Sequence, residues 1–235
     1  MAERPVFMAA LRGSAFVEVK IVDFKWVPGM SVTQKQKCVD SLHAAARKDG
    51  WGDVLEISSK SKFELGRSTS AFKLSFNHPR LRKKVCVESA FQGSKVFENS
   101  GPFPDLYAMY AAAAKKELRL RCSGELKAFD FFGQHWPLRP YTVFYDWLYL
   151  NSMNRNPQLT GELCSYSGFT DIEFNPKKSI NCQAYAAALF VSLCTRGVLD
   201  EVMANRETFI KVMSQQPEWI VSTGFINKHP ALRKT

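Results

Sequence analysis

Glu88, Gln92 and Lys95 are the residues whose types and spacing most directly suggest chemistry. They lie in the run Val87-Glu88-Ser89-Ala90-Phe91-Gln92-Gly93-Ser94-Lys95-Val96-Phe97. At i, i+4 and i+7 they put a carboxylate, an amide and an amine on one face of a helix. With Phe91 and Phe97 interleaved, that face makes a polar pocket against an apolar wall. The same spacing equally serves a solvated Glu–Lys pair. A second group is the loop Gly168 to Asn181, which carries Asp171, Glu173, Lys177 and Lys178 ahead of a helix that Ser179 or Asn181 would cap. Helix N-termini attract phosphate, though an ordinary capped helix behind a charged loop reads the same way. A third feature is basic. Arg80, Arg82, Lys83 and Lys84 form one cluster, and Lys115, Lys116, Arg119 and Arg121 another. Such clusters suit a phosphate backbone or a solvated face.

The elements that must position these groups follow from periodicity. Ala15 to Trp26 alternates apolar and polar residues and predicts a strand, ended by Pro28-Gly29. Ser31 or Thr33 starts a helix to about Lys48, closed by Gly50. Leu55 to Lys60 and Ser70 to Phe76 read as strands. His78 to Lys84 reads as a hairpin turn, with Lys84 to Glu88 as the returning strand. A helix is expected from Ser89 to about Phe97, stopped by Asn99-Ser100-Gly101-Pro102. Ala111 to Leu120 reads as helical and Phe129 to Trp136 as aromatic and irregular. Phe144 to Asn154 reads as a helix and Phe169 to Pro176 as a polar loop. Helices are expected over Ile180 to Arg196 and Leu199 to Met213, and a frayed basic tail from Lys228 to Thr235.

Composition bounds the answer. The chain has 235 residues, 46% of them hydrophobic, with 18 Phe, 7 Tyr and 5 Trp. That is ample apolar mass for a packed core and argues against disorder. No apolar run is long enough to cross a bilayer, and no basic-then-apolar leader opens the chain, so it reads as cytoplasmic and without a membrane partner. Against 22 acidic residues stand 32 Lys and Arg, a net charge of +10 that favours an anionic partner. The cysteines form no C-x-x-C pair and read as free thiols, and no metal-ligand spacing is present. Dinucleotide, P-loop, zincin, nucleophile-elbow and EF-hand patterns are absent.

Taken together, three segments resemble the NADAR family, most closely its antitoxin branch found beside DarT-type DNA ADP-ribosyltransferase toxins. They are Glu56-Ile57-Ser58-Ser59-Lys60-Ser61 with Leu65-Gly66 and Ser70-Ala71-Phe72, the run Val87 to Glu98 continuing to Gly101-Pro102-Phe103, and Phe169 to Ala184. Phe131-Phe132-Gly133, Trp136-Pro137-Leu138 and Phe144 to Tyr149 lie between the last two. The E-x-x-F-Q-x-x-K pattern of the wider family falls on Glu88, Phe91, Gln92 and Lys95, its later Asp on Asp171 and its later Asn on Asn181. This chain has Ile172-Glu173-Phe174-Asn175 where that family often has Trp-Gly-Asp-Gly.

The resemblance implies a fold and a reaction. The fold is one α+β domain over 1–235, mainly helical with a small antiparallel sheet. Its core covers about 15–200, and a C-terminal helix and basic tail cover 199–235. The reaction is N-glycosidic hydrolysis, removing ADP-ribose from guanine in DNA to undo a DarT-type toxin, without metal or cofactor. Breaking a C–N bond at the anomeric carbon builds positive charge on the sugar, which a carboxylate stabilises or uses to activate water. Glu88 or Asp171 serves that role. Lys95 either attacks the opened sugar to form an imine or binds phosphate. ADP-ribose contacts are expected from Ser70, Phe72, Phe91, Gln92, Trp136, Glu173 and Asn181, and DNA phosphate contacts from Arg82, Lys83, Lys115 and Arg119. Two other functions fit the same residues: hydrolysis of phosphorylated ribosylamines, as in riboflavin synthesis, and non-catalytic binding of ADP-ribose or nucleic acid.

Overall fold

The computed structural model describes residues 1–78, 80–175 and 179–224. In chain order the first elements are β1 (Ala2–Ala9), β2 (Val17–Phe24), α1 (Val32–Lys48), β3 (Val54–Glu56), α2 (Glu64–Ser68), β4 (Ser75–His78), β5 (Lys83–Cys86), α3 (Val87–Gly93) and β6 (Lys95–Phe97). A 3-10 turn (Pro104–Ala108) leads to α4 (Ala111–Ala114), α5 (Arg119–Cys122), β7 (Leu126–Phe131) and β8 (Gln134–Trp136). Then come α6 (Val143–Asn154), α7 (Pro157–Leu163), β9 (Gly168–Thr170), α8 (Gln183–Thr195), α9 (Leu199–Val202), α10 (Arg206–Ser214) and α11 (Trp219–Ser222). The expected tail from Lys228, and Lys177 with Lys178, lie outside the described residues.

The architecture is mixed α/β, with more sheet than the single small antiparallel sheet expected. One sheet has the order β2-β1-β9-β3, with β9 and β3 parallel and the other pairs antiparallel. A two-stranded ribbon joins β4 and β5, and a third sheet has the order β6-β7-β8. Its central buried helix is α8, whose residues from Gln183 to Leu193 are all buried. A helix apolar on every side belongs inside the protein, and the small Ala184, Ala186, Ala187 and Ala188 let β1 and α6 approach it. Ser31 caps α1 as expected, with its hydroxyl accepting from the Gln34 amide N–H at 3.2 Å.

Several local expectations are revised, each for a tertiary reason. The strand expected at 15–26 is β2, and it pairs along its length with β1. Pro5 hides β1 in the sequence because proline donates no ladder hydrogen bond. It is tolerated because β9 pairs only with Phe7 and Met8. The strand expected from Ser70 starts only at Ser75. Residues 70–73 form a turn closed by Leu74 N–H to Ser70 carbonyl, and the side chain of Gln183 captures the Ala71 N–H. The helix expected over 89–97 runs from Val87 to Gly93, so Lys95 lies on a strand. A Cβ at Gly93 would meet the Tyr107 ring, so only glycine admits the 3-10 turn against α3. Phe129 to Trp136 is a hairpin turned at Phe132 and Gly133, both with positive φ. The helix expected over 111–120 breaks into α4 and α5. The one expected over 199–213 breaks into α9 and α10, the latter capped by Asn205. The loop expected over 169–176 begins as β9. Cys182 is the N-cap of α8, and neither Ser179 nor Asn181 caps it.

Candidate active site

Glu88 sits in the first turn of α3 and is 4% exposed. Gln92, one turn on, donates from Nε2 to Glu88 Oε1 at 2.8 Å. Lys115, just after α4, brings its Nζ to 3.4 Å from the same oxygen. Lys95 reaches the cluster from β6, and its amine stands 5.0 Å from the centre of the Phe91 ring. Burial pushes the Lys95 amine down to about 8, and the charge of Lys115 adds to the shift while Glu88 opposes it. The far side of Phe91 packs on Phe129, Phe144 and Tyr145, which makes the apolar floor. Phe72, 37% exposed, forms a lip, with Lys115 Nζ 5.0 Å above its ring.

Asp171 follows β9. Its Oδ1 accepts the backbone N–H of Glu173 at 3.0 Å and of Phe174 at 3.1 Å, an Asx-type turn that fixes the carboxyl. Glu56, on the parallel neighbour β3, accepts from the Ser58 hydroxyl at 2.6 Å, the Thr170 hydroxyl at 2.7 Å and the Ile172 N–H at 2.9 Å. Gly66 lies against the Glu56 carbonyl so closely that a Cβ would collide with it. Both carboxyls are buried. Loss of solvent pushes both upward, and for Glu56 the charge of Asp171 adds to the effect. Two carboxyls so placed cannot both ionise easily, so the pair holds a proton near neutral pH. Behind them His43 Nε2 lies 2.8 Å from Thr170 Oγ1. Burial, then Arg47, lowers His43 to about 4, which keeps it neutral. Since the Thr170 hydroxyl donates to Glu56, His43 Nε2–H is the donor to Thr170.

The two groups act on the same neighbours. Buried Tyr145 is raised well above an ordinary tyrosine, first by burial and then by the charges of Glu88 and Asp171 together. Lys115 acts on Asp171 as well as on Glu88. Arg4, on β1, also lies within reach of the Asp171 charge. Burial lowers it, and Asp171 is the first of the charges that oppose this. Its Nε is buried with no hydrogen-bond partner among the described residues, and its guanidinium lies 5.3 Å from the Trp26 ring centre. Lys35 stands over the other part of this edge, 4.9 Å from Trp26 and 3.0 Å from a Glu173 oxygen.

The remaining residues singled out in the sequence scatter. Ser70 is buried and donates to the Arg67 carbonyl. Glu173 is exposed on the Lys35 edge. Asn181 is half-buried, and its carbonyl accepts from Ser179 Oγ. Trp136, expected to stack on the ligand, is 1% exposed and packs on Phe144 and Trp147, so it belongs to the core. Arg82 and Lys83 are exposed at the β4–β5 hairpin. Arg119, expected on DNA, is held by Asp105 at 2.5 Å and Glu117 at 3.1 Å. Lys115 faces Glu88 and belongs to the pocket. Sequence reasoning gave no role to Arg4, Lys35, Glu56 or Tyr145. Glu56 and Tyr145 lie within the segments that resemble the NADAR family, and Pro5 hides the strand that carries Arg4.

No curated protein matches the chain. A family described as the DarT1-associated NADAR antitoxin matches residues 2–219, which include every group of this pocket. With that match over nearly the whole length, the chain belongs to the family of DarT1-associated NADAR antitoxins.

Proposed function

We propose that this chain hydrolyses the N-glycosidic bond between ADP-ribose and a guanine base of DNA, and so acts as the antitoxin to a DarT1-type toxin. The observation that carries the reading is a lysine with its amine lowered to about 8, facing Glu88, beside a carboxyl pair that retains a proton. An amine so tuned is a nucleophile near neutral pH, and a protonated carboxyl is a proton donor: the two roles that N-glycoside cleavage needs. In the proposed sequence Asp171 or its partner Glu56 protonates the ribose ring oxygen, and the sugar opens to an imine on the guanine amine. Lys95 adds to C1′, the guanine amine leaves with a proton, and a lysine imine remains. Water, activated by Glu88, adds to that imine and returns free ADP-ribose and Lys95. The balance is one water consumed and one C–N bond broken. Phe72 and Phe91 flank the sugar and base, and Arg4 with Lys35 offer cations to the pyrophosphate beside the Trp26 ring. A guanine in a duplex must be extruded to reach such a pocket, so a single strand is the favoured substrate.

The test is incubation of guanine-ADP-ribosylated single-stranded DNA with wild type, Glu88→Ala and Lys95→Ala, read by mass spectrometry. Release of ADP-ribose by wild type, and its loss in both variants, supports the reading. Turnover confined to phosphorylated ribosylamines overturns the substrate. Toxin neutralisation that survives the double variant overturns catalysis.

A further inference from the structure

We propose that a cavity between α6 and the β7–β8 turn is a stacking pocket for another nucleotide of the single-stranded DNA that carries the modified base. This rests on the reading of DNA as the substrate. The cavity encloses about 370 Å³ and shares no lining residue with the Glu88–Asp171 site. Opposite faces of α6 divide the two. Tyr145 and Tyr149 face the carboxyls, while Trp147, Asn151 and Arg155, at i, i+4 and i+8, line the cavity. The aromatic layer between them is continuous. Phe91, under the Lys95 amine, touches Phe144, and Phe144 touches Phe131 in the cavity wall.

The lining has the chemistry of a nucleotide site. His78 lies flat on Phe132, with ring centres 3.7 Å apart and planes 9° from parallel, so Phe132 holds the His78 ring as a stacking platform. Trp147 meets Phe131 edge-on. A base presents a flat π-face to such rings whatever its identity. His78 Nδ1 is buried without a hydrogen-bond partner among the described residues, a polar atom waiting for a ligand. Burial and two nearby guanidinium groups push its ring below the ordinary histidine value. Those guanidiniums belong to Arg80 and Arg155. Among the described residues neither makes an ion pair: Arg80 is tied to a backbone carbonyl at 3.5 Å, and Arg155 to one at 3.4 Å and to the Phe76 ring, 5.7 Å from its centre. Arg82, Lys83 and Lys84 continue the positive charge around the adjoining hairpin, also without ion pairs among the described residues. Arg119, by contrast, is fully engaged by carboxylates. The cavity contains no acidic side chain. A planar ring with an attached anion fits; a cationic or aliphatic ligand does not. At the small end of ligand pockets, the volume suits one nucleotide.

Anisotropy of a labelled, unmodified dodecathymidylate tests the pocket without requiring turnover. Phe132→Leu keeps apolar mass but removes the platform, and Arg155→Gln removes an exposed cation. Each is expected to weaken strand binding about tenfold, with circular dichroism unchanged. Wild-type affinity in both variants overturns the proposal, as does thymidine monophosphate competing as well as the strand. A second arm compares turnover of ADP-ribosylated guanosine with the same nucleoside inside a dodecamer. The wild-type preference for the strand is expected to fall toward parity in Phe132→Leu. If wild type binds the strand through Phe132 yet releases ADP-ribose from neither substrate, the proposed reaction fails and the pocket stands. If both substrates turn over and strand binding ignores the variants, the pocket fails and the reaction stands.

Discussion

The two carboxyl-bearing regions of the pocket solve the burial of acid in opposite ways. Glu88 is buried but meets a cation, Lys115 at 3.4 Å, and an amide donor, Gln92. Glu56 and Asp171 are supplied with hydrogen-bond donors, yet among the described residues neither has a cation at ion-pair distance, and Glu56 carries the field of Asp171 while Asp171 carries that of Glu173. Their pKa values shift upward despite six donors between them, the Ser58 and Thr170 hydroxyls, the Ile172, Glu173 and Phe174 amides and the Gln183 side chain. Donors alone do not offset loss of solvent plus a like charge; a nearby opposite charge does. One site thereby pairs one carboxyl with a cation and leaves two others to hold a proton, the division of labour that acid–base catalysis uses.

Lys95 is where the comparison breaks most sharply. Replacing it with Ala should lower turnover by at least ~10³-fold, since the covalent route is lost. Borohydride should trap wild type as an ADP-ribose adduct by mass and leave Lys95→Ala unlabelled. An unlabelled wild type would confine Lys95 to an electrostatic role. Glu88→Gln should cost roughly 10²- to 10⁴-fold at the plateau. It also carries a signed pH effect. Wild-type activity should rise with pH through about 8 as Lys95 loses its proton. Glu88 holds Lys95 up, so its neutralisation should move that limb to lower pH. Lys115→Ala should do the reverse, because Lys115 pushes Lys95 down. The limb then moves to higher pH, with a loss of several-fold at neutral pH and a smaller loss above it. Limbs that move together in both variants would sink the assignment of the titrating group.

The carboxyl pair is tested by stability. Both groups have folded-state pKa values raised above their unfolded values, so the native state binds the extra proton. Their contribution is present at low pH and is lost as pH rises from the ordinary carboxylate range through neutrality. Thermal midpoints of Glu56→Gln at pH 5 and pH 8 should show a flatter dependence than wild type, with the variant relatively more stable at pH 8. An unchanged slope would show that the proton resides elsewhere. The smallest effect lies far from both regions. Ser31→Ala removes the cap of α1 and should cost about 1 kcal/mol, a few degrees in melting midpoint, with turnover intact.

Local order was legible where it depends on spacing. The Glu88–Gln92 turn, the Ser31 start, the body of α6 over Val143–Asn154 and the alternation in β2 follow from helical and strand periods that neighbouring residues enforce on one another. Boundaries failed where a distant group decides. Tyr107 ends α3 at Gly93, Gln183 holds the turn at Ala71, and β9 appears because β1 and β3 flank it. The same division runs through the pocket. The order of Glu88, Phe91, Gln92 and Lys95 along the chain was enough to nominate chemistry, because residue type and spacing are covalent facts. What state those groups hold was decided by tertiary structure alone. Only folding removes water from Lys95, sets Glu56 against Asp171 across parallel strands, turns Lys115 inward and buries Trp136. Acidity and access depend on solvent and on charges through space, and neither is a property of spacing along the chain.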